Sequence, residues 1–143
     1  MCHGKCMKLV PLQVPLGWEV KWNHFYDVTI EEKLDDGLLG YPFYEDILYM
    51  LNEPWMIAID LGWCPDGAPD GAYSLQLLMM KVAQTIHPPI KKAINRKIGD
   101  INVRYKLVEE VEVNWGKPID TFNSRNIIEV QNKLNEFLHY TGT

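Results

Sequence analysis

Residues 55–81 read WMIAIDLGWCPDGAPDGAYSLQLLMMK, which is two apolar stretches separated by a short segment rich in proline, aspartate and glycine. Trp55–Leu61 and Tyr73–Lys81 have the length and apolar content of buried β-strands. An Asp-Gly step supplies a side-chain acceptor followed by a residue that tolerates a positive φ, and proline stiffens the approach to a turn. The stretch therefore predicts an antiparallel hairpin with a rigid, acidic loop.

Further strands are predicted on both sides of this hairpin. Apolar and polar residues alternate from residue 18 to 26 and again from 103 to 113, as expected when one face of a strand is buried. Residues 43–51 also fit helical spacing, but their tyrosine and isoleucine content favours a strand. The alternation in the first strand places Trp18 and Trp22 on the inward side, and Trp55 is expected to point inward as well.

Two helices complete the predicted fold. Pro88 and Pro89 are well placed to begin a short helix near 89–98, and an apolar stripe from Ile127 to Leu138 predicts a C-terminal helix. Asn123 or Ser124 is the expected cap of the C-terminal helix. The expected fold class is α+β, a mainly antiparallel sheet of about five or six strands with this helix packed on one face.

Length and composition fit one globular domain. The chain has 143 residues, of which 47% are apolar and 23% charged. We expect an N-terminal extension at 1–16, partly mobile, and a single domain at 17–143. No apolar stretch approaches the roughly 20 residues that a membrane-spanning helix needs. Three cysteines do not fit a disulfide framework, so we expect reduced thiols and a cytoplasmic protein.

Charge is distributed unevenly along the chain. Residues 17–80 contain two basic and twelve acidic residues, a net charge of −10, whereas residues 81–106 carry +6. An acidic segment of this size repels phosphate, so direct binding to nucleic acid is not expected. It suits a basic protein partner, because opposite charges speed the encounter and select the partner.

The sequence contains no recognisable catalytic motif. His24 and Asp27 form the most suggestive acid–base pair, since both fall near the end of the first predicted strand. An outward polar position for the histidine and a turn cap for the aspartate explain the same residues without chemistry. We therefore do not expect an enzyme, and a small hydrolase or nuclease that uses His24 and Asp27 remains the alternative.

No metal site or cofactor is expected either. Cys2, His3 and Cys6 supply three soft ligands, but a structural zinc site needs a fourth. Asp66 and Asp70 stand four residues apart, without the alternating oxygens and the final glutamate of a calcium-binding EF-hand loop. Turn chemistry accounts for these aspartates.

Three segments in combination resemble a known family: WEVKWNHFYDV at 18–28, IDLGWCPDGAPDGAYSL at 59–75 and WGKPIDTFNSRNIIEVQNKLNEFL at 115–138. Together they resemble small bacterial immunity proteins encoded beside polymorphic toxins, such as those of contact-dependent growth inhibition systems. The resemblance covers most of residues 16–140. It rests on the IDLGW-x-P-[DE] step and on the P-x-x-x-F-x-SR-N step before the last helix.

The resemblance implies a protein that binds one cognate toxin domain in the cytoplasm and blocks its active site. Such toxins are commonly nucleases with basic clefts, so carboxylates of the immunity protein are expected where RNA phosphates would lie. Trp63, which the sequence leaves open between core and interface, would add apolar anchoring. The expected partner-binding residues are Asp35, Asp36, Asp60, Trp63, Asp66, Asp70 and Tyr73.

A third possibility is a structural subunit that associates with itself through exposed aromatic side chains. Five tryptophans are more than a small core must contain, and tryptophan and tyrosine are common anchors of protein interfaces. For the immunity-protein interpretation we expect a monomer or a weak dimer, with no bound nucleic acid, membrane or cofactor.

Overall fold

The structure is a computed structural model that describes residues 7–34, 39–87 and 106–141. In these residues each strand pairs antiparallel with the next one along the chain, so the sheet order is also the sequence order. The elements are β1 (Glu19–Asn23), α1 (Ile30–Leu34), β2 (Leu48–Asn52), β3 (Ile57–Cys64), β4 (Ala72–His87), β5 (Lys106–Ser124) and α2 (Ile127–Leu138). The predicted α+β class, with an antiparallel sheet and a C-terminal helix, is confirmed. The helix expected near 89–98 lies outside the described residues.

The main core lies between the sheet and α2. Alternate residues of β3 and β4, such as Ile59, Leu61 and Leu75, point to one face of the sheet and are fully buried there. α2 contacts β4 and β5 and buries Val130 and Leu134 in the same cluster. Burial stabilises the fold by about 1.5–3 kcal/mol for each such side chain. The opposite face of the sheet, which we call the open face, is more exposed and carries the candidate surface described below.

The cap of α2 differs from the prediction. The side chain of Asn126 accepts hydrogen bonds from the backbone amides of Ile128 and Glu129 at 2.9 and 3.1 Å. Asn123 and Ser124 are not the cap, because β5 continues through Ser124 and keeps both residues paired with β4. The apolar stripe is otherwise as expected, except that Ile128 is exposed.

The sequence analysis missed the short helix α1. The hydroxyl of Thr29 accepts from the amide of Glu32 at 3.3 Å, while the Glu32 carboxylate accepts from the amide of Thr29 at 3.2 Å. This reciprocal pair is a capping box, and the spacing of threonine and glutamate was visible in the sequence.

Neither helix in the described residues is long and apolar enough to cross a membrane.

The domain begins before the predicted boundary at residue 17. Val10 is buried in the main core, and its amide donates to the carbonyl of Phe25 at 2.8 Å. The amide of Asp27 donates to the carbonyl of Lys8 at 2.7 Å, and the Gln131 side chain of α2 donates to the carbonyl of Pro11 at 3.1 Å. Residues 8–11 of the expected extension are therefore attached to the domain.

β4 and β5 extend beyond the rest of the sheet. Pairing between β3 and β4 ends at Met79, whereas β4 and β5 stay paired from Lys81 to His87 and from Lys106 to Glu112. We call this two-stranded extension the ribbon. β5 continues past the predicted end at residue 113 to Ser124, because β4 supplies pairing partners as far as Tyr73. Residues 103–105 of the predicted strand lie outside the described residues.

Candidate protein-binding surface

Hydrogen bonds to two core residues, Trp63 and Phe43, fix the path of the loop between β3 and β4. The indole nitrogen of Trp63 donates to the carbonyl of Ala68 at 2.8 Å, and the amide of Gly67 donates to the carbonyl of Phe43 at 2.8 Å. Gly67 has a φ of +67°, a conformation that favours glycine. The predicted loop therefore exists, with its path fixed by specific hydrogen bonds.

Arg125 holds the same loop from the side of α2. Its guanidinium donates to the carbonyls of Gly71 and Pro69, the latter at 3.1 Å, and lies 5.8 Å from the centre of the Trp63 ring. Gly71 leaves no room for a side chain, because a Cβ there would lie 2.5 Å from the indole nitrogen of Trp63. The sequence analysis did not assign a role to Arg125, although it belongs to the SRN step that carried the family resemblance.

Two of the expected partner-binding residues lie in the core. Trp63 is 0% exposed and Tyr73 is 2% exposed, and their rings contact each other and Phe43. Both side chains alternate inward on their strands and meet at the first pairs of the hairpin, so they are not available to a partner. The sequence left Trp63 open between core and interface, and the structure places it in the core.

The expected carboxylates lie in different places. Asp66 and Asp70 are exposed on the loop, and Asp60 is half-buried on the open face. A carboxylate oxygen of Asp66 accepts from the amide of Glu45 at 2.5 Å. Asp35 and Asp36 lie outside the described residues.

Four carboxylates gather at one end of the open face, and we call this group the acidic end: Glu45, Asp46, Asp60 and Asp66. An open cavity of about 530 Å³ is lined by three of them and by three ring side chains, His24, Tyr41 and Tyr44. Asp60 is not a lining residue of this cavity, but it lies close enough to Asp46 and Glu45 for their negative charges to act on its carboxyl group. The sequence analysis did not select Glu45 or Asp46, because their approach to Asp60 depends on how the chain enters β2.

Burial and like charge both act on Asp60. Burial, followed by the nearby carboxylates of Asp46 and Glu45, raises the pKa of Asp60 to about 6. The same environment raises the pKa of Tyr49, first through burial and then through the charge of Asp60. The acidic end is therefore a place where negative charges are held close together against their mutual repulsion.

The backbone at Gly62 explains why Glu45 and Asp46 reach this position. The amide of Trp63 donates to the carbonyl of Tyr44 at 2.8 Å, and the amide of Ile47 donates to the carbonyl of Leu61 at 2.9 Å. The carbonyl of Glu45 thereby lies directly above Gly62, where an added Cβ would be 2.0 Å from that oxygen. Only glycine permits this approach, which fixes the start of the acidic end.

His24 does not form the acid–base pair considered from the sequence. Its Nδ1 lies 3.0 Å from the hydroxyl of Tyr41, and the two rings meet edge to face at 5.8 Å. Asp27 is exposed, and its backbone amide pairs with Lys8. The geometry therefore joins His24 to a group of tyrosines rather than to the carboxylate of Asp27.

An aromatic row crosses the open face beside the acidic end. Trp22, Tyr49 and Asp60 are neighbours on adjacent strands in the sheet register. The Tyr49 ring lies between two indoles, with ring centres 4.9 Å from Trp22 and 5.8 Å from Trp115. The prediction that Trp22 points into the core is wrong, because a register shift between Val20 and Trp22 turns this edge strand and leaves the ring on the open face.

The other tryptophans also divide between core and surface. Trp55 is 56% exposed in the turn between β2 and β3, so its predicted inward position is wrong. Trp18 is half-buried against the core, and its indole nitrogen donates to the carbonyl of Leu138 at 3.0 Å. A turn has no fixed inward side, which is why alternation failed at Trp55.

Trp115 reaches the aromatic row through a wide bulge in β5. Leu78 pairs with Pro118 and Met80 pairs with Val113, so one residue of β4 lies opposite residues 114–117 of β5. The extra residues arch over the open face and bring Trp115 to Tyr49, two strands away from β4. Ala58, Leu78 and Met80 form a second, smaller buried cluster on this face, against which Leu51, Met56 and Val113 pack.

In the described ranges, no group of three or more histidine, cysteine, aspartate or glutamate side chains has the arrangement of a metal site. Cys2, His3 and Cys6 lie outside those ranges. Comparison of the chain with known protein families, curated proteins and solved structures finds no match. The resemblance to immunity proteins stays a prediction from the sequence.

Proposed function

We propose that this protein is an inhibitor of a basic toxin domain of the nuclease class, and that it acts in the cytoplasm by covering the active site of the toxin. The observation that carries the proposal is the acidic end, where four carboxylates lie close together at one end of a sheet face that no helix of the described residues covers. Nuclease clefts are basic because they bind phosphate. A cluster of carboxylates is complementary to such a cleft and competes with the nucleic acid for it.

The charge of the acidic end is not neutralised within the described part of the chain. None of the lysines or arginines described there forms an ion pair with Glu45, Asp46, Asp60 or Asp66. A half-buried carboxylate beside other carboxylates destabilises the free protein, and such arrangements are concentrated at functional sites. A basic partner would relieve this repulsion, which is a source of binding free energy.

Binding to a toxin domain tests the proposal directly. The probe is the C-terminal domain encoded by the gene immediately upstream, made catalytically inactive and titrated by calorimetry at low and high salt. Reversing two charges with Glu45→Lys and Asp46→Lys is expected to weaken binding by at least about 100-fold at low salt, because like charges then face each other. The loss is expected to shrink at high salt, where exposed charges are screened.

The control changes the same amount of charge elsewhere. Glu31 on α1 and Glu136 on α2 are both exposed and lie outside the acidic end, so Glu31→Lys with Glu136→Lys makes the same change in net charge elsewhere, with loss of the ion pair between Glu136 and Lys133. We expect this control to weaken binding much less than the variant of the acidic end. Equal losses would show that only net charge matters, and absence of binding by the unmodified protein would reject the proposed function.

The loop is tested separately. Asp66→Lys with Asp70→Lys reverses both loop aspartates, of which only Asp66 belongs to the acidic end. If the loop takes part in the contact, the affinity falls as it does for Glu45→Lys with Asp46→Lys. Unchanged affinity would remove the loop from the interface and leave the open face as the site of contact.

A further inference from the structure

The bulge of β5 borders a groove on the open face. The groove has a volume of about 580 Å³; its apolar lining residues are Tyr49, Leu51, Met80, Val111, Val113 and Trp115, and Lys81, Glu112 and Asn114 add polar groups. Trp115 is 54% exposed although one of its faces stacks on Tyr49. A large ring held in place by a stack, with half of its surface in water, has the properties of an interface anchor.

The apolar surface continues from the groove onto the ribbon. Val82 and Val111 are a cross-strand pair next to the pair of Met80 and Val113, and both valines are exposed. Isolated exposed apolar residues are ordinary, but here they adjoin a groove and an exposed indole. Together with Trp115 and the apolar lining of the groove, these valines form an apolar strip on the open face, which Lys81 and Glu112 interrupt.

Charge selects the occupant of this strip. At one side lies the acidic end, connected to the aromatic row through the pairing of Tyr49 with Asp60. Glu112 lies at the groove itself, where its carboxylate is 3.5 Å from Lys81. A second copy that used the same face would bring two acidic ends toward each other. Lys81 balances the charge of Glu112, so the attraction for a basic polypeptide comes from the acidic end.

We propose that the groove binds an apolar side chain of a basic polypeptide segment whose lysine or arginine side chains contact the acidic end. The inference rests on the proposed function and adds the form of the contact, with two different anchors on one face. Trp115 and the groove supply apolar burial, which salt affects little, and the acidic end supplies attraction that salt weakens. The two anchors are therefore separable by experiment.

The probe is a display library of random twelve-residue peptides, selected at low salt on the full chain. We expect the selected peptides to combine lysine or arginine with at least one large apolar residue. Replacing that apolar residue by alanine, or introducing Trp115→Ala into the protein, is expected to lower affinity by at least about tenfold with little change in the salt dependence. Glu45→Gln with Asp46→Asn is expected to reduce the salt dependence instead.

Trp55→Ala is the matched control, because Trp55 is exposed to the same degree as Trp115 but lies in the turn before β3. It is expected to leave affinity unchanged. Val111→Gln is a second variant that makes the groove polar at an already exposed position, in case Trp115→Ala disturbs the fold. It is expected to weaken binding as Trp115→Ala does.

Each other outcome has a definite meaning. Purely basic peptides that bind Trp115→Ala and Val111→Gln as tightly as the unmodified protein would overturn this inference and leave the proposed function standing. Apolar peptides without basic residues would overturn the role of charge and with it the proposed function. A library that yields no binder would contradict both. A dimer in sedimentation experiments that Trp115→Ala dissociates would show that the occupant is a second copy.

Discussion

Asp60 is the residue at which stability and binding compete most directly. It lies in the middle strand of the sheet, half-buried, beside Tyr49 and within the influence of Glu45 and Asp46. A carboxylate in this position favours its neutral form, as its raised pKa of about 6 shows. An asparagine would fit the same space without the charge. The charged aspartate therefore lowers the free energy of unfolding of the unbound protein.

This cost predicts a particular pH dependence. The unfolded carboxyl has a pKa near 3.8 and the folded one a pKa of about 6, so the folded state binds more protons between these values. The free energy of unfolding contributed by this residue therefore falls as pH rises from about 4 to 6 and stays low above that range. We expect Asp60→Asn to be more stable than the unmodified protein by about 1–2 kcal/mol at pH 8, allowing for solvent screening.

The measurement is urea denaturation of both proteins across this pH range. The pH-dependent difference in stability should vanish below about pH 3, where the aspartate is neutral in both states. A difference that is constant with pH would mean that the substitution acts through packing. We also expect Asp60→Asn to bind the basic partner less tightly, so that stability and affinity change in opposite directions.

Gly62 controls the geometry of the acidic end from the backbone. Gly62→Ala would place a methyl group 2.0 Å from the carbonyl oxygen of Glu45, and backbone on both sides is held by hydrogen bonds. We expect a loss of about 3 kcal/mol in the free energy of unfolding, at the upper end of the range for overpacking. Gly116→Ala is the control, because its nearest contact would be 3.8 Å, and we expect a change within about 0.5 kcal/mol. Equal effects in urea denaturation would contradict the proposed role of Gly62.

At the scale of elements, the hairpin loop and the start of α2 form one unit. Arg125 immediately precedes the cap residue of α2 and donates to two carbonyls of the loop, while Trp63 fixes the loop from the core side. The loop therefore depends on residues more than 50 positions away in the sequence. Its rigidity was predicted from proline and glycine, but most of the contacts that produce it were not visible locally.

Arg125→Met is expected to loosen this unit. Two charge-assisted hydrogen bonds and the contact with the Trp63 ring are lost, which we expect to cost about 1–2 kcal/mol in unfolding free energy. Hydrogen exchange at the amides of Gly67 and Gly71 should become faster, because the loop then opens without unfolding the sheet. Lys133→Met on α2 is the control and should leave exchange in the loop unchanged. Unchanged exchange in Arg125→Met would show that Trp63 alone holds the loop.

At the scale of the whole molecule, neither helix of the described residues covers the open face of the sheet. α2 packs against the other face, and on the open face Ala58, Leu78 and Met80 are buried in a small cluster. The open face joins a cluster of carboxylates to a row of three aromatic rings. Binding experiments with charge-reversed and Trp115 variants therefore probe the same surface by two independent interactions.

The surface expected from the sequence and the one in the structure overlap only in part. The prediction of an acidic, aromatic binding face remains the basis of the proposal, and Asp60 and Asp66 belong to both. Trp63 and Tyr73 lie in the core, whereas Trp22 and Trp115, which were not expected at the binding face, are exposed on the open face. The sign and size of the charge were readable from composition, but the identity of the exposed rings was not.

What the sequence by itself determined was the antiparallel hairpin, the amphipathic C-terminal helix and the excess of negative charge in residues 17–80. These features follow from local periodicity, turn chemistry and counting, which need no knowledge of distant contacts. Only the tertiary structure decided which tryptophans are exposed, how Glu45 and Asp46 approach Asp60, and that Arg125 holds the loop. Each of these depends on a register shift, a bulge or a close backbone approach between strands, and a change of one residue in register reverses the face on which a side chain lies.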